Sequence, residues 1–160
     1  MRALAIAIVA MLATHAPPAS AAYTCSVSAD GSINFLTYDP LAPDATASGS
    51  VTLVCRHVSG GNNFVNWSMS LSNGSSGNCN ARQMQRQTAP AATLSYNIFH
   101  NSTSAIWGSF SCGTPVSATA QINNGSPVFS TTQTMRGVLP AGQNVPSGTY
   151  LDTLVLTVSF

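Results

Sequence analysis

The stretch Tyr150-Leu151-Asp152-Thr153-Leu154-Val155-Leu156-Thr157-Val158-Ser159-Phe160 decides the fold. Leu154, Leu156, Val158 and Phe160 alternate with Thr153, Val155, Thr157 and Ser159, the period-2 pattern of a β-strand with one buried face. The sequence ends on this strand. A β-sandwich built this way is expected to present either an open sheet edge or a groove that waits for a strand from elsewhere. Exposed edges invite aggregation, whereas strand addition is a mode of recognition.

The rest of the sequence repeats the β signal. Short alternating or apolar runs fall at Tyr23–Ser28, Ile33–Tyr38, Gly49–His57, Phe64–Ser72, Leu94–Phe99 and Thr132–Leu139. Turn chemistry separates them at Ala29-Asp30-Gly31, Asp39-Pro40, Ser59-Gly60-Gly61, Asn73-Gly74, Asn124-Gly125 and Pro146-Ser147-Gly148. No window sustains a 3.6-residue period. The polar segment Ala81–Thr88 reads as a loop or a single helical turn. The expected architecture is an all-β sandwich with Val51, Leu53 and Cys55 on one inward face. Trp67, Met69 and Leu71 share another such face, as do Leu94, Tyr96 and Ile98.

The N-terminus addresses compartment. Arg2, the apolar run Ala3–Ala13 and the small residues Ala19, Ser20, Ala21 and Ala22 read as a secretory signal peptide over residues 1–22. That run is too short for a membrane span. Residues 23–160 then suffice for one domain that buries roughly two-thirds of its surface. The four cysteines, Cys25, Cys55, Cys79 and Cys112, all fall in this domain. An even count in an exported chain points to two disulfides. Of three possible pairings, Cys25–Cys55 with Cys79–Cys112 is favoured because each joins neighbouring strand segments. No Cys-x-x-Cys pair occurs and His57 and His100 stand apart, so no metal site is expected.

Charge excludes further classes. The sequence has no lysine and no glutamate, and Arg56, Arg82, Arg86 and Arg136 balance Asp30, Asp39, Asp44 and Asp152. Nucleic acid needs clustered cations, and anionic membranes need the same. Near-zero charge over a Ser-, Thr-, Asn- and Gly-rich surface favours association instead. Catalysis has little support: there is no Gly-x-Ser-x-Gly elbow. Asp30 and Asp39 belong to Asp-Gly and Asp-Pro turns, where local backbone bonding accounts for them. No enzyme activity and no cofactor are expected.

The ordered motifs carry a resemblance. Cys25, Phe35-x-x-Tyr38-Asp39-Pro40 and Gly49-Ser50-Val51-x-Leu53-x-Cys55 come first. Leu71-Ser72-x-Gly74, Ala81-Arg82-Gln83-Met84, Leu94-x-Tyr96-Asn97-Ile98-Phe99 and Trp107-Gly108 follow. Gly148-Thr149-Tyr150-x-Asp152-Thr153-x-x-Leu156-Thr157-Val158-x-Phe160 closes the series. Together they resemble the spore coat protein U domain, shared with pilins of the archaic chaperone–usher pathway. The resemblance implies an incomplete immunoglobulin-like (pilin-type) sandwich lacking its last strand. A periplasmic chaperone lends a strand to the groove, and the next pilus subunit, delivered at an outer-membrane usher, replaces it.

On that footing the groove and chaperone-binding residues are expected to be Val51, Leu53, Leu154, Leu156, Val158 and Phe160. The residues before Cys25 and after the expected cleavage, Ala22, Tyr23 and Thr24, span about 10 Å, too little to fill a neighbour's groove. The subunit is therefore expected to accept a strand without giving one, at the tip of a cell-surface fimbrium. Trp107, Asn62 and Asn63 are candidate contacts with a host or abiotic surface. Arg82 is expected to brace a loop through backbone carbonyls, and Asp152 to face solvent or pair with an arginine. The alternative is a self-complete secreted coat or carbohydrate-binding protein, its edge closed by Tyr23–Ser28 or Ile33–Tyr38.

Overall fold

The computed structural model describes residues 22–29, 32–101 and 103–160. The expected signal peptide lies almost wholly outside the described residues, as does the Asp30-Gly31 turn.

Among the described residues, nine strands form two sheets. They are β1 (Tyr23–Ala29), β2 (Ala45–His57), β3 (Asn63–Leu71), β4 (Arg82–Arg86), β5 (Thr93–His100), β6 (Val116–Ile122), β7 (Val128–Leu139), β8 (Tyr150–Leu151) and β9 (Leu156–Ser159). One sheet runs β1-β2-β7-β5-β4-β8 and the other β6-β3-β9. Each pairing between these strands is antiparallel.

The core follows from alternation. Val51, Leu53 and Cys55 of β2 face Val65, Trp67, Met69 and Leu71 of β3, with Leu94, Tyr96 and Ile98 of β5 beside them, all buried. Trp67 packs against Phe129 of β7 with ring centroids 6.3 Å apart. Cys25 bonds to Cys55, directly opposite it across the β1–β2 ladder, and Cys79 bonds to Cys112.

Four segments differ from the sequence reading. Ile33–Tyr38 forms no strand: the Asn34 side-chain oxygen accepts the Leu36 amide at 2.8 Å, and Leu36 takes a positive φ of 58°. This local bond turns the backbone out of an extended ladder. Ala81–Thr88 holds strand β4 rather than a loop or helical turn; an arginine at its buried position, Arg82, disguised the alternation. Strand β6 went unread because Ser117, Ala118, Thr119, Ala120 and Gln121 have no apolar rhythm. The closing stretch is two strands, broken over residues 152–155.

Candidate functional site

The inward face of β2 changes size along its length. Ala45, Ala47 and Gly49 give way to Val51, Leu53 and Cys55, and Gly137 of β7 stands opposite Ala47. The second sheet covers the larger half. Over the smaller half lies the segment from Ser32 to Tyr38, whose Ile33, Phe35 and Tyr38 turn inward while Asn34, Leu36 and Thr37 stay exposed. Tyr38 is pinned: its hydroxyl donates to Pro140 O at 2.9 Å and accepts from the Gln143 amide at 2.8 Å.

Between this segment and the C-terminal strand runs a groove of about 1110 Å³. Its floor is Val51, Met84, Leu94, Tyr96, Ile98, Met135 and Leu139 of the six-stranded sheet. One wall is the Ser32–Tyr38 segment; the other is Leu71 with Asp152, Thr153, Leu154 and Leu156. Strand β9 pairs with β3 through Ser68↔Ser159 to Leu71↔Leu156, and among the described residues no strand lies on its other side. Leu154, Leu156 and Val158 are only partly buried, although their alternation marks them as an inward face.

Three of the residues expected in the groove line it: Val51, Leu154 and Leu156. The others stand elsewhere. Leu53 is fully buried in the core, Val158 packs against that core, and Phe160 is 51% exposed beyond the end of β9. Most of the floor was legible only as core, because alternation marks which face is inward but not whether anything covers it.

Polar groups close one end. The Asp152 carboxylate accepts the Tyr96 hydroxyl at 2.6 Å and the Ser75 amide at 2.9 Å. It also accepts its neighbour Thr153's amide at 2.9 Å. It neither faces solvent freely nor pairs with an arginine. A side chain at Gly74 would collide with this carboxylate, so the turn needs glycine there, at φ +71°. Burial, then the hydrogen bond to Asp152 and the charge of that carboxylate, push the Tyr96 phenol far above its ordinary range, with Arg82 opposing.

Arg82 lies just behind. It is fully buried and donates to Ser72 O through Nη2 at 2.7 Å and Nε at 3.2 Å. It also donates to Trp107 O at 2.8 Å and to Asn97 Oδ1 at 2.9 Å. Burial lowers its pKa, while Tyr96 and Asp152 oppose that shift. The guanidinium thus ties β4, β5 and two loops together, as the sequence reading expected of a loop brace.

The proposed surface contacts fare differently. Trp107 is fully buried, donates its indole to Met69 O at 3.2 Å and stacks on His100 at 5.2 Å. It cannot meet a surface; its packing volume, invisible in a Ser- and Asn-rich setting, places it inside. Asn62 accepts the Asn123 amide at 3.0 Å, and Asn63 donates to Ser59 O at 3.0 Å, so both shape turns. Phe110, 79% exposed beside the Cys79–Cys112 bridge, is a surface aromatic the sequence reading did not single out.

The comparisons agree with this architecture. A chain in the crystal structure of the CsuC-CsuE chaperone-tip adhesion subunit pre-assembly complex, from archaic chaperone-usher Csu pili of Acinetobacter baumannii, superposes with a TM-score of 0.53 at 23% identity. The match covers 86% of the present chain but only 40% of that one, and it shows the fold alone: an all-β, pilin-type sandwich. Protein U of Myxococcus xanthus is 35% identical over 138 residues, 81% of this chain and 72% of that protein. The family described as Spore Coat Protein U domain matches residues 9–157. Chain-long agreement with the family, together with the Protein U relative, places this chain in the spore coat protein U domain family.

Proposed function

We propose that the chain is a structural or adhesive subunit of a surface fibre assembled by the chaperone–usher route. In this reading its groove accepts an extended strand, first from a periplasmic chaperone and then from a neighbouring subunit at the outer-membrane usher. The observation that carries it is the groove itself: an apolar trough flanked by a strand, β9, that among the described residues has a neighbour on one side only. A segment laid along β9 would gain main-chain hydrogen bonds. Its alternate side chains would reach Val51, Leu94, Ile98 and Leu139 on the floor. The Csu complex pairs a chaperone with a pilus subunit of this fold, and the near-neutral sequence suits association with other subunits.

The self-complete coat or carbohydrate-binding alternative needs an internal strand beside β9. Strand β1 pairs with β2 at an edge of the six-stranded sheet, not in the sheet of β9, and is covalently tied there by Cys25–Cys55. The Ser32–Tyr38 segment flanks the groove without pairing to β9. Neither supports closure from within. The surface such a fibre meets, host or abiotic, belongs to the same proposal.

The test is Leu154→Asp with Leu156→Asp, coexpressed with the cognate periplasmic chaperone. Two carboxylates on the groove wall would be buried without partners by any incoming strand. The wild-type chain is expected to copurify with the chaperone one-to-one. The double variant should still be exported, yet not be captured. Undiminished capture refutes the groove assignment.

A further inference from the structure

Phe35 occupies a notch made by an absent side chain. A Cβ placed on Gly137 would stand 2.6 Å from Cζ and 3.0 Å from Cε1 of Phe35, and 3.0 Å from Cγ2 of Ile33. One at Gly49 would stand 3.1 Å from Cγ1 of Ile33. Glycine inside a strand weakens it and marks close approach of another segment; here the approaching segment is one wall of the groove. Phe35 also meets Tyr96 edge-on, with centroids 6.2 Å apart at 65°. The Tyr96 hydroxyl holds Asp152, where the other wall begins. Both walls therefore rest on one floor residue, and the glycine notch decides how far back Phe35 can sit.

We infer that Phe35, seated over Gly137 and against Tyr96, sets the width of the groove and thereby the side-chain size an incoming strand can present there. This rests on reading the groove as a strand acceptor. Adding a methyl at Gly137 drives the Phe35 ring toward β9 and narrows the trough. Shortening Phe35 widens it. The two changes act in opposite directions, and the first is relieved by the second.

The experiment dilutes the full oxidised chain from urea into fluorescein-labelled peptides about ten residues long, a strand's length. One peptide alternates valine with threonine; the other carries phenylalanine in place of one central valine. Anisotropy reads affinity, while intact disulfides and tryptophan emission report the fold. The wild type should prefer the valine peptide. Gly137→Ala should weaken it about tenfold or more, the size to which overpacking costs convert. Gly137→Ala with Phe35→Leu should restore binding, and Phe35→Ala alone should reverse the preference toward the phenylalanine peptide.

A folded Gly137→Ala chain that binds as the wild type does overturns the width assignment while strand acceptance stands. Should Gly137→Ala fail to fold, Phe35→Ala decides: an unchanged preference overturns it. A wild type that captures neither peptide overturns strand acceptance, and the width assignment with it.

Discussion

Replacing Arg82 by methionine keeps most of its aliphatic stem and removes the guanidinium. Three acceptors then lose their donor: Ser72 O, Trp107 O and Asn97 Oδ1, at present bonded over 2.7–3.2 Å. Asn97 Oδ1 keeps the Ile98 amide at 2.8 Å, so the two carbonyls suffer most. Each orphaned buried acceptor costs about 1–3 kcal/mol, and the variant no longer desolvates a cation. Two such carbonyls cost about 2–6 kcal/mol, and relief of the cation's desolvation brings the expected net loss to about 2–4 kcal/mol, a large part of a single domain's 5–15 kcal/mol or so. Arg82→Lys should recover little, because one ammonium on a single stem cannot reach three divergent acceptors. Equilibrium urea unfolding of the oxidised chain with a saturating strand peptide in its groove, followed by tryptophan emission, measures this directly, since Trp67 and Trp107 are only 5% and 0% exposed; the stability comparisons below use the same completed chain. A methionine variant within about 1 kcal/mol of the wild type refutes the brace, as does a lysine variant of full stability.

Asp152→Ala strips the Tyr96 hydroxyl and the Ser75 amide of their acceptor and should cost about 2–3 kcal/mol, with Asp152→Asn intermediate; urea midpoints check the order. The disulfides close loops with sequence separations of 30 and 33, so replacing either pair by alanine should cost about 3.5–4 kcal/mol. Thermal scans that leave stability unchanged contradict this. The raised Tyr96 phenol sets an alkaline signature. The unfolded phenol ionises near pH 10 while the folded one stays protonated, so the unfolded state holds fewer protons above about pH 10 and stability falls there. This phenol contributes a slope of about 1.4 kcal/mol per pH unit, absent below that pH. Tyr96→Phe should remove that share, and parallel pH profiles for the two proteins would argue against it.

Fold class was legible because alternation is a local property that survives without tertiary context. The runs around Val51, Trp67 and Ile98 alternate cleanly, and each became a core face. Strand β4 escaped because a buried arginine, satisfied by Ser72 O, Trp107 O and Asn97 Oδ1, looks like a surface residue in sequence. Ile33–Tyr38 misled in the other direction: its alternation is real, with Ile33 and Phe35 inward, but Asn34 bonds its own backbone and no ladder forms. The groove was half visible. Leu154 and Leu156 announced an inward face, yet the floor looked like ordinary core. The wall at Phe35 depends on Gly49 and Gly137, two glycines whose meaning exists only once strands β2 and β7 are paired. Trp107 shows the limit of neighbourhood reasoning: polar neighbours in sequence surround a ring that packs inside.

The central claim is that this domain completes itself with a strand from another chain. The most direct measurement is periplasmic expression of the full sequence, alone and together with its chaperone, scored as soluble protein with both disulfides formed. The account predicts negligible soluble monomer from the chain alone and a one-to-one complex when the chaperone is present. A stable, oxidised monomer that forms without any partner and ignores the chaperone would contradict it.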